Sequence, residues 1–212
     1  MIIPSINAQN QADAAFQIKA CSTFLSKKNG WLHLDFSDGE FGSIKTWGNF
    51  SKWNSLNKNY STEVHLMVKK PEKFLIPCAK AGVKRVIIHL ESISDFQKLF
   101  LASRALKLEL ALAINPETSA SQLLLYPQVS FFTILAVHPG KSGQKTQPNT
   151  LTKIKFLKAH FPKAKIEVDG GVNAENIKTL KAAGATHFVA HHAIFKTEDY
   201  KNNYLRLSSK LK

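Results

Sequence analysis

Lys165-Ile-Glu-Val-Asp-Gly-Gly-Val-Asn173 holds one complete turn of the pattern that decides the fold. A short apolar strand, Lys165 to Val168, runs into Asp169. Two glycines then turn the chain, and Asn173 offers a cap to a helical segment that stops at Gly184. The next apolar run, His187 to Ala190, follows directly. Strand, turn, helix and strand in this order make a βαβ unit.

The same unit recurs on both sides. Ile2 to Ile6 reads as an opening strand, and a helix follows over 13–26, with Phe16, Ala20 and Phe24 at helical spacing. Further strands are expected at 31–36, 64–68, 85–90, 109–114 and 130–137. Helices are expected at 71–80, 94–107, 119–125, 150–161 and 200–211. In the 150–161 helix Leu151, Ile154, Leu157 and Phe161 face inward. The stretch 39–59 is polar and aromatic without a period. Eight strands in 212 residues, most followed by a helix and read as near-continuous apolar runs, suit a parallel sheet buried on both faces. The count, and the lack of a Gly-rich fingerprint after the first strand, favour an α/β fold of the (β/α)8 barrel type in one domain, 1–212, over an open doubly wound sheet.

Composition limits the function. At 44% hydrophobic and 10% aromatic the chain is an ordinary globular protein, and its longest apolar stretch, Phe131 to Val137, is too short to span a bilayer. The segment Met1-Ile-Ile-Pro-Ser lacks the pattern of a signal peptide. Two cysteines, Cys21 and Cys78, do not make a disulfide framework, so a cytoplasmic location is expected. The net charge of +14 raises nucleic-acid binding. Only Arg85, Arg104 and Arg206 among the 29 basic residues are arginines, and the lysines are spread along the chain. Base readout favours arginine. A lysine-rich solvated surface that attracts small anions is the better reading, with no membrane partner and a nucleic-acid partner disfavoured.

Chemistry gathers at the strand ends. His33 and Asp35 lie two apart and share a strand face; His65 and Asp169 end other strands. Two imidazoles and two carboxylates suit a divalent ion such as zinc, iron, manganese or cobalt, and the carboxylates can also move protons. In a (β/α)8 barrel these ends form the functional face. Ser5, His89 and Glu91, Asn115 and His191-His192 end further strands. Pro139-Gly-Lys-Ser-Gly-Gln144 follows the sixth strand as a loop rich in anion donors, and Asp169-Gly170-Gly171 presents backbone N–H groups suited to phosphate.

In order and spacing, the chain resembles the ribulose-phosphate 3-epimerase family over nearly its whole length. The matching segments are Ile3-Pro-Ser-Ile6, His33-Leu-Asp-Phe-Ser-Asp-Gly39, His65-Leu-Met-Val68, Ala81-Gly82, His89-Leu-Glu91 and Asn115-Pro116. Pro139-Gly140, Gly143-Gln144, Val168-Asp-Gly-Gly-Val-Asn173 and Ala193-Ile-Phe195 continue the match. The resemblance implies a TIM barrel of the ribulose-phosphate-binding type and a metal-dependent inversion at C3 of a ketose phosphate, by default D-ribulose 5-phosphate to D-xylulose 5-phosphate. It implies that His33, Asp35, His65 and Asp169 bind the ion, and that Asp35 and Asp169 serve opposite faces of the sugar. It places Ser5, His65 and Met67 against the substrate, with Gly140, Gly143, Gly170 and Gly171 along its phosphate end, and it implies self-association.

The chain departs from the family where the phosphate should sit. A usual Gly-Ser pair after strand eight is His191-His192, and a usual Pro-Gly-Phe-Gly-Gly loop is Pro139-Gly-Lys-Ser-Gly143. Lys141, Ser142 or the two imidazoles would then take part in holding the anion, unless the substrate carries no phosphate. Two methionines expected beside Met67 are Ser37 and Leu135, and a Phe-Val-Pro-Asn stretch is Phe41-Gly-Ser-Ile44. A catalytic set kept inside a changed recognition shell points to an epimerase with altered substrate. A non-catalytic metal- or anion-binding descendant is the competing expectation.

Overall fold

The structure is a computed structural model that describes residues 1–42, 45–138 and 143–211. Its strands are β1 (Ile2–Ile6), β2 (Trp31–Ser37), β3 (Ser61–Met67), β4 (Arg85–His89), β5 (Glu109–Ile114), β6 (Phe131–Leu135), β7 (Lys165–Asp169) and β8 (His187–Ala190). They form a closed barrel in chain order, and the registered pairs are parallel. Helices α1 (Gln11–Cys21), α2 (Phe50–Leu56), α3 (Leu75–Lys80), α4 (Phe96–Ala105), α5 (Thr150–His160), α6 (Ile177–Ala183), α7 (His192–Phe195) and α8 (Tyr200–Ser209) alternate with them. The chain has two compact units, Pro4–Leu110 and Met1–Ile3 with Ala111–Lys212. Among the described residues no helix is long and apolar enough to cross a membrane.

In the Pro4–Leu110 unit the register sets the chemistry. Ser5 pairs with His33, His33 with Glu63, and Glu63 with Arg85; one step along, Asp35 pairs with His65 and His65 with Ile87. Alternation puts these residues on one face of the sheet. The other face carries Leu32, Leu34, Val64, Leu66, Val86 and Ile88, all buried. The strands are therefore apolar toward the helices and polar on the opposite face, not apolar throughout as the sequence pattern suggested. In the other unit Thr133, Glu167 and His187 form a comparable polar row, and Leu135, Asp169 and Val189 the next.

Helix ends follow local chemistry. Asn10, Asn49 and Asp95 each accept an N–H three residues ahead, from Asp13, Lys52 and Lys98, which starts α1, α2 and α4. Gly184, at φ 119°, ends α6 in a conformation that disfavours other residues.

Several expected elements shift. The first helix is regular only to Cys21. Its buried residues are Ala14, Gln17, Ile18, Ala20 and Cys21; of the Phe16–Ala20–Phe24 stripe Ala20 is buried, whereas Phe16 is 56% exposed and Phe24, beyond the helix, is half-buried. The aperiodic 39–59 stretch contains α2, a helix of 7 residues too short to show a period. Its Trp53 is buried, with the indole N–H donating to Thr62 Oγ1 at 3.0 Å. Helix α6 follows Asn176, because the Asn173 side chain accepts from the N–H groups of Glu175 and Asn176 and makes a turn instead of the cap. Residues 120–125 form a 3-10 helix, and β3 begins at Ser61, three residues early.

Candidate active site

Asp35 lies at the centre of a buried polar cluster near the end of β2. Ser5 Oγ donates to its Oδ2 at 2.5 Å, His33 Nε2 lies 3.2 Å from its Oδ1, and His65 Nδ1 lies 3.6 Å from the same oxygen. The strands place all three partners without loops: Ser5 and His33 are a registered pair, as are Asp35 and His65. Burial alone would raise the Asp35 carboxyl. The charges and hydrogen bonds of His33 and then His65 outweigh it and hold the group well below the usual carboxylate range. It is therefore ionised at neutral pH.

The two imidazoles are themselves held. His33 Nδ1 meets Glu63 Oε1 at 2.8 Å, and since an ionised carboxylate only accepts, Nδ1 carries a proton there, while Nε2 is the nitrogen turned to Asp35. Glu63 is in turn bound by Arg85, NH1 to Oε2 at 2.5 Å, and Arg85 also holds Glu109 and stacks its guanidinium over Trp31 at 4.6 Å. His65 Nε2 lies 2.8 Å from His89 Nε2, and His89 Nδ1 lies 3.3 Å from Glu91 Oε2.

One ligand atom from each of His33, Asp35 and His65 lies within 4.8 Å of the other two, so this buried cluster could hold a metal. Its chemistry fits one. Two imidazole nitrogens turned toward one carboxylate oxygen require a proton or a cation between them, and mixed nitrogen–oxygen donors suit a divalent transition ion.

The remaining expected residues lie in the other unit, apart from Met67, which ends β3 opposite Ser37. Asp169 ends β7, is 8% exposed, and accepts the Ala136 N–H through its carbonyl at 2.7 Å. Gly170, at φ 98°, lies so near Val137 that a Cβ would stand 2.4 Å from it. Gly171, at φ 70°, lies against the backbone of 144–146, where a Cβ would meet the Thr146 nitrogen at 2.7 Å. Both positions require glycine for conformation and for space. Gly143 faces the His192 ring, with a Cβ position 3.5 Å from Nδ1. His191 precedes α7 and packs its ring on Phe195 at 5.1 Å, while His192 opens α7 and is exposed. Gly140, Lys141 and Ser142 lie outside the described residues.

The sequence reading missed Glu63 and Arg85. The signal was present: Glu63 stands two before His65 and shares its face, and Arg85 opens an otherwise apolar strand. A charge inside a buried strand needs a partner.

Comparison with known proteins places this arrangement. The ribulose-phosphate 3-epimerase family model matches residues 1–195. A ribulose-phosphate 3-epimerase of Candida glabrata is 30% identical, over 94% of this chain and 87% of the relative. One from Chlamydia muridarum is also 30% identical, over 93% and 89%. Among solved structures a 3-hexulose-6-phosphate synthase aligns with a TM-score of 0.71 at 16% identity, covering 99% of each chain. An orotidine 5'-phosphate decarboxylase of Pyrococcus horikoshii aligns at 0.68 and 13% identity, covering 100% of this chain and 99% of its own. These two likenesses show the barrel fold. The family match, with the polar cluster of Ser5, His33, Asp35 and His65 at the strand ends, shows that the chain belongs to the ribulose-phosphate 3-epimerase family of isomerases.

Proposed function

We propose that the protein is a divalent-metal-dependent epimerase that inverts C3 of a ketose phosphate, with D-ribulose 5-phosphate to D-xylulose 5-phosphate as the reaction to assay first. The observation that carries this reading is the buried Asp35 with two imidazoles turned toward it. Asp169 completes the ligand set with His33, Asp35 and His65, from the end of β7. Family membership supports this, as does the general use of the strand C-terminal ends as the catalytic face of such barrels. A bound divalent ion supplies positive charge where the reaction builds negative charge on the substrate oxygens.

The protein's own groups do the proton work. Inversion requires one acid/base group on each face of C3. Asp35, ionised at neutral pH, takes the proton on one face, and Asp169 returns one on the other. Ser5, tied to Asp35 Oδ2, fixes the plane of that carboxylate and stands ready to bind a substrate hydroxyl. The backbone of Gly143, Gly170 and Gly171 approaches the phosphate end. In sequence, Lys141 replaces the family's phenylalanine, Ser142 a glycine, and His191-His192 the Gly-Ser pair. We assign the protein to the cytoplasm, consistent with its two buried free cysteines, and treat the chain as one functional domain.

The reading is tested by incubating metal-loaded protein with ribulose 5-phosphate in deuterated water. Deuterium at C3 is the expected result. Substrate choice is tested separately. Replacing His191-His192 by Gly-Ser should lower KM for ribulose 5-phosphate by about tenfold, on the order of one charge-assisted contact regained. An unchanged KM would mean that the imidazoles do the work of the lost backbone.

A further inference from the structure

We propose that His89 and Glu91 are positioning residues that lock His65 in the one tautomer able to offer Nδ1 beside Asp35. The inference rests on the metal reading above and deepens it.

Glu91 follows β4, and as a carboxylate it accepts hydrogen bonds only. Its Oε2 lies 3.3 Å from His89 Nδ1, which places a proton on that nitrogen. In neutral His89 the other nitrogen, Nε2, is then a lone-pair acceptor. It lies 2.8 Å from His65 Nε2, so His65 must donate from Nε2. With Nε2 committed to His89, Nδ1 is the nitrogen left facing Asp35 Oδ1 at 3.6 Å, and it shares a proton with that carboxylate until a cation displaces it.

The ring geometry agrees. The two imidazoles are 12° from parallel with centroids 4.9 Å apart. A face-to-face stack cannot bring two nitrogens to 2.8 Å, so the contact is an edge-to-edge N–H···N hydrogen bond. Both rings are fully buried, and Phe41 covers His89 at 4.7 Å, so water competes little for these donors. Each step of the chain has a directional reason, and neither His89 nor Glu91 is required by the proton chemistry at C3. His33 is set by a different device, Glu63 with Arg85, and offers the opposite nitrogen, Nε2. The two ligand imidazoles are thus oriented by independent chains.

The test uses the full-length protein and zinc(II), titrated against a chromophoric chelator, together with nitrogen-15 imidazole spectra of the metal-free protein. In the native protein the spectra should show His65 protonated on Nε2. His89→Phe keeps an aromatic ring but removes the acceptor; it should mix the His65 tautomers and weaken zinc binding about 10- to 100-fold, the usual cost of losing a group that orients a ligand. His89→Gln, whose amide oxygen can still accept from Nε2, should recover most of the affinity. A merely structural role would not follow this acceptor rule. A native His65 without a proton on Nε2, or zinc affinity in a folded His89→Phe within about threefold of native, overturns the proposal. If His89→Phe does not fold, Glu91→Ala read by the same spectra decides it, an unchanged His65 tautomer being the negative result. Should native protein bind no zinc, the metal reading fails, while the spectra still report on the lock.

Discussion

Asp35→Asn should reduce kcat for epimerisation by about three orders of magnitude, within the range expected for losing one positioned acid/base group. The substitution is nearly isosteric. An asparagine can still accept the Ser5 hydroxyl, and the registered strands that place the residue are unaltered. What is lost is the negative charge that His33 and His65 hold in place. Asp169→Asn should produce a loss of the same order. The two variants should differ in solvent exchange, because each leaves one face of C3 served: a single-sided exchange in one epimer only, if any, is the expected residue of activity. Normal turnover by either variant, measured on protein with a native circular-dichroism spectrum, would remove that aspartate from the mechanism.

Arg85→Met should have the largest effect on stability. Arg85 is 2% exposed and joins Glu63, fully buried, to Glu109. Removing the guanidinium takes a cation away from the fully buried Glu63 carboxylate. Breaking one partner of a buried pair costs about 3–5 kcal/mol. For a chain of this size, each kcal/mol lowers the melting temperature by about 2–4 °C, so a drop of roughly 6–20 °C is expected in a thermal melt. The double variant Arg85→Met with Glu63→Gln should recover a good part of it, since the neutral amide can still meet His33 Nδ1 through its oxygen. A melting temperature within about 2 °C of native for the single variant would show that the network is solvated.

Much of this molecule was legible in its residues. The turn at Asp169-Gly-Gly171 and the recurrence of strand and helix disclose the barrel because both signals are local: glycine where φ is positive, apolar runs of strand length. His33 and Asp35 could be paired from their spacing alone, since alternation is fixed by the strand itself. Helix α2 was not legible, for seven residues hold too little period and its anchor, Trp53, bonds to Thr62 on a strand not yet formed at that point of the chain. The Arg85–Glu63 pair was hidden for a different reason. Its partners are 22 residues apart, and only the β3–β4 register brings them together. The same holds for His65 and His89, 24 apart. Local spacing reveals which face a residue takes; which neighbour it meets there depends on register.

The most direct test of the central claim is exchange at C3. Metal-replete protein is incubated with ribulose 5-phosphate in deuterated water, and both pentulose phosphates are read by mass spectrometry and proton NMR. The account predicts one deuterium at C3, incorporated at a rate that falls to background on chelation and returns with a divalent ion. Stoichiometric metal binding with no exchange from ribulose 5-phosphate or any other ketose phosphate would contradict it, leaving a metal-binding protein that has kept the family's site without its reaction.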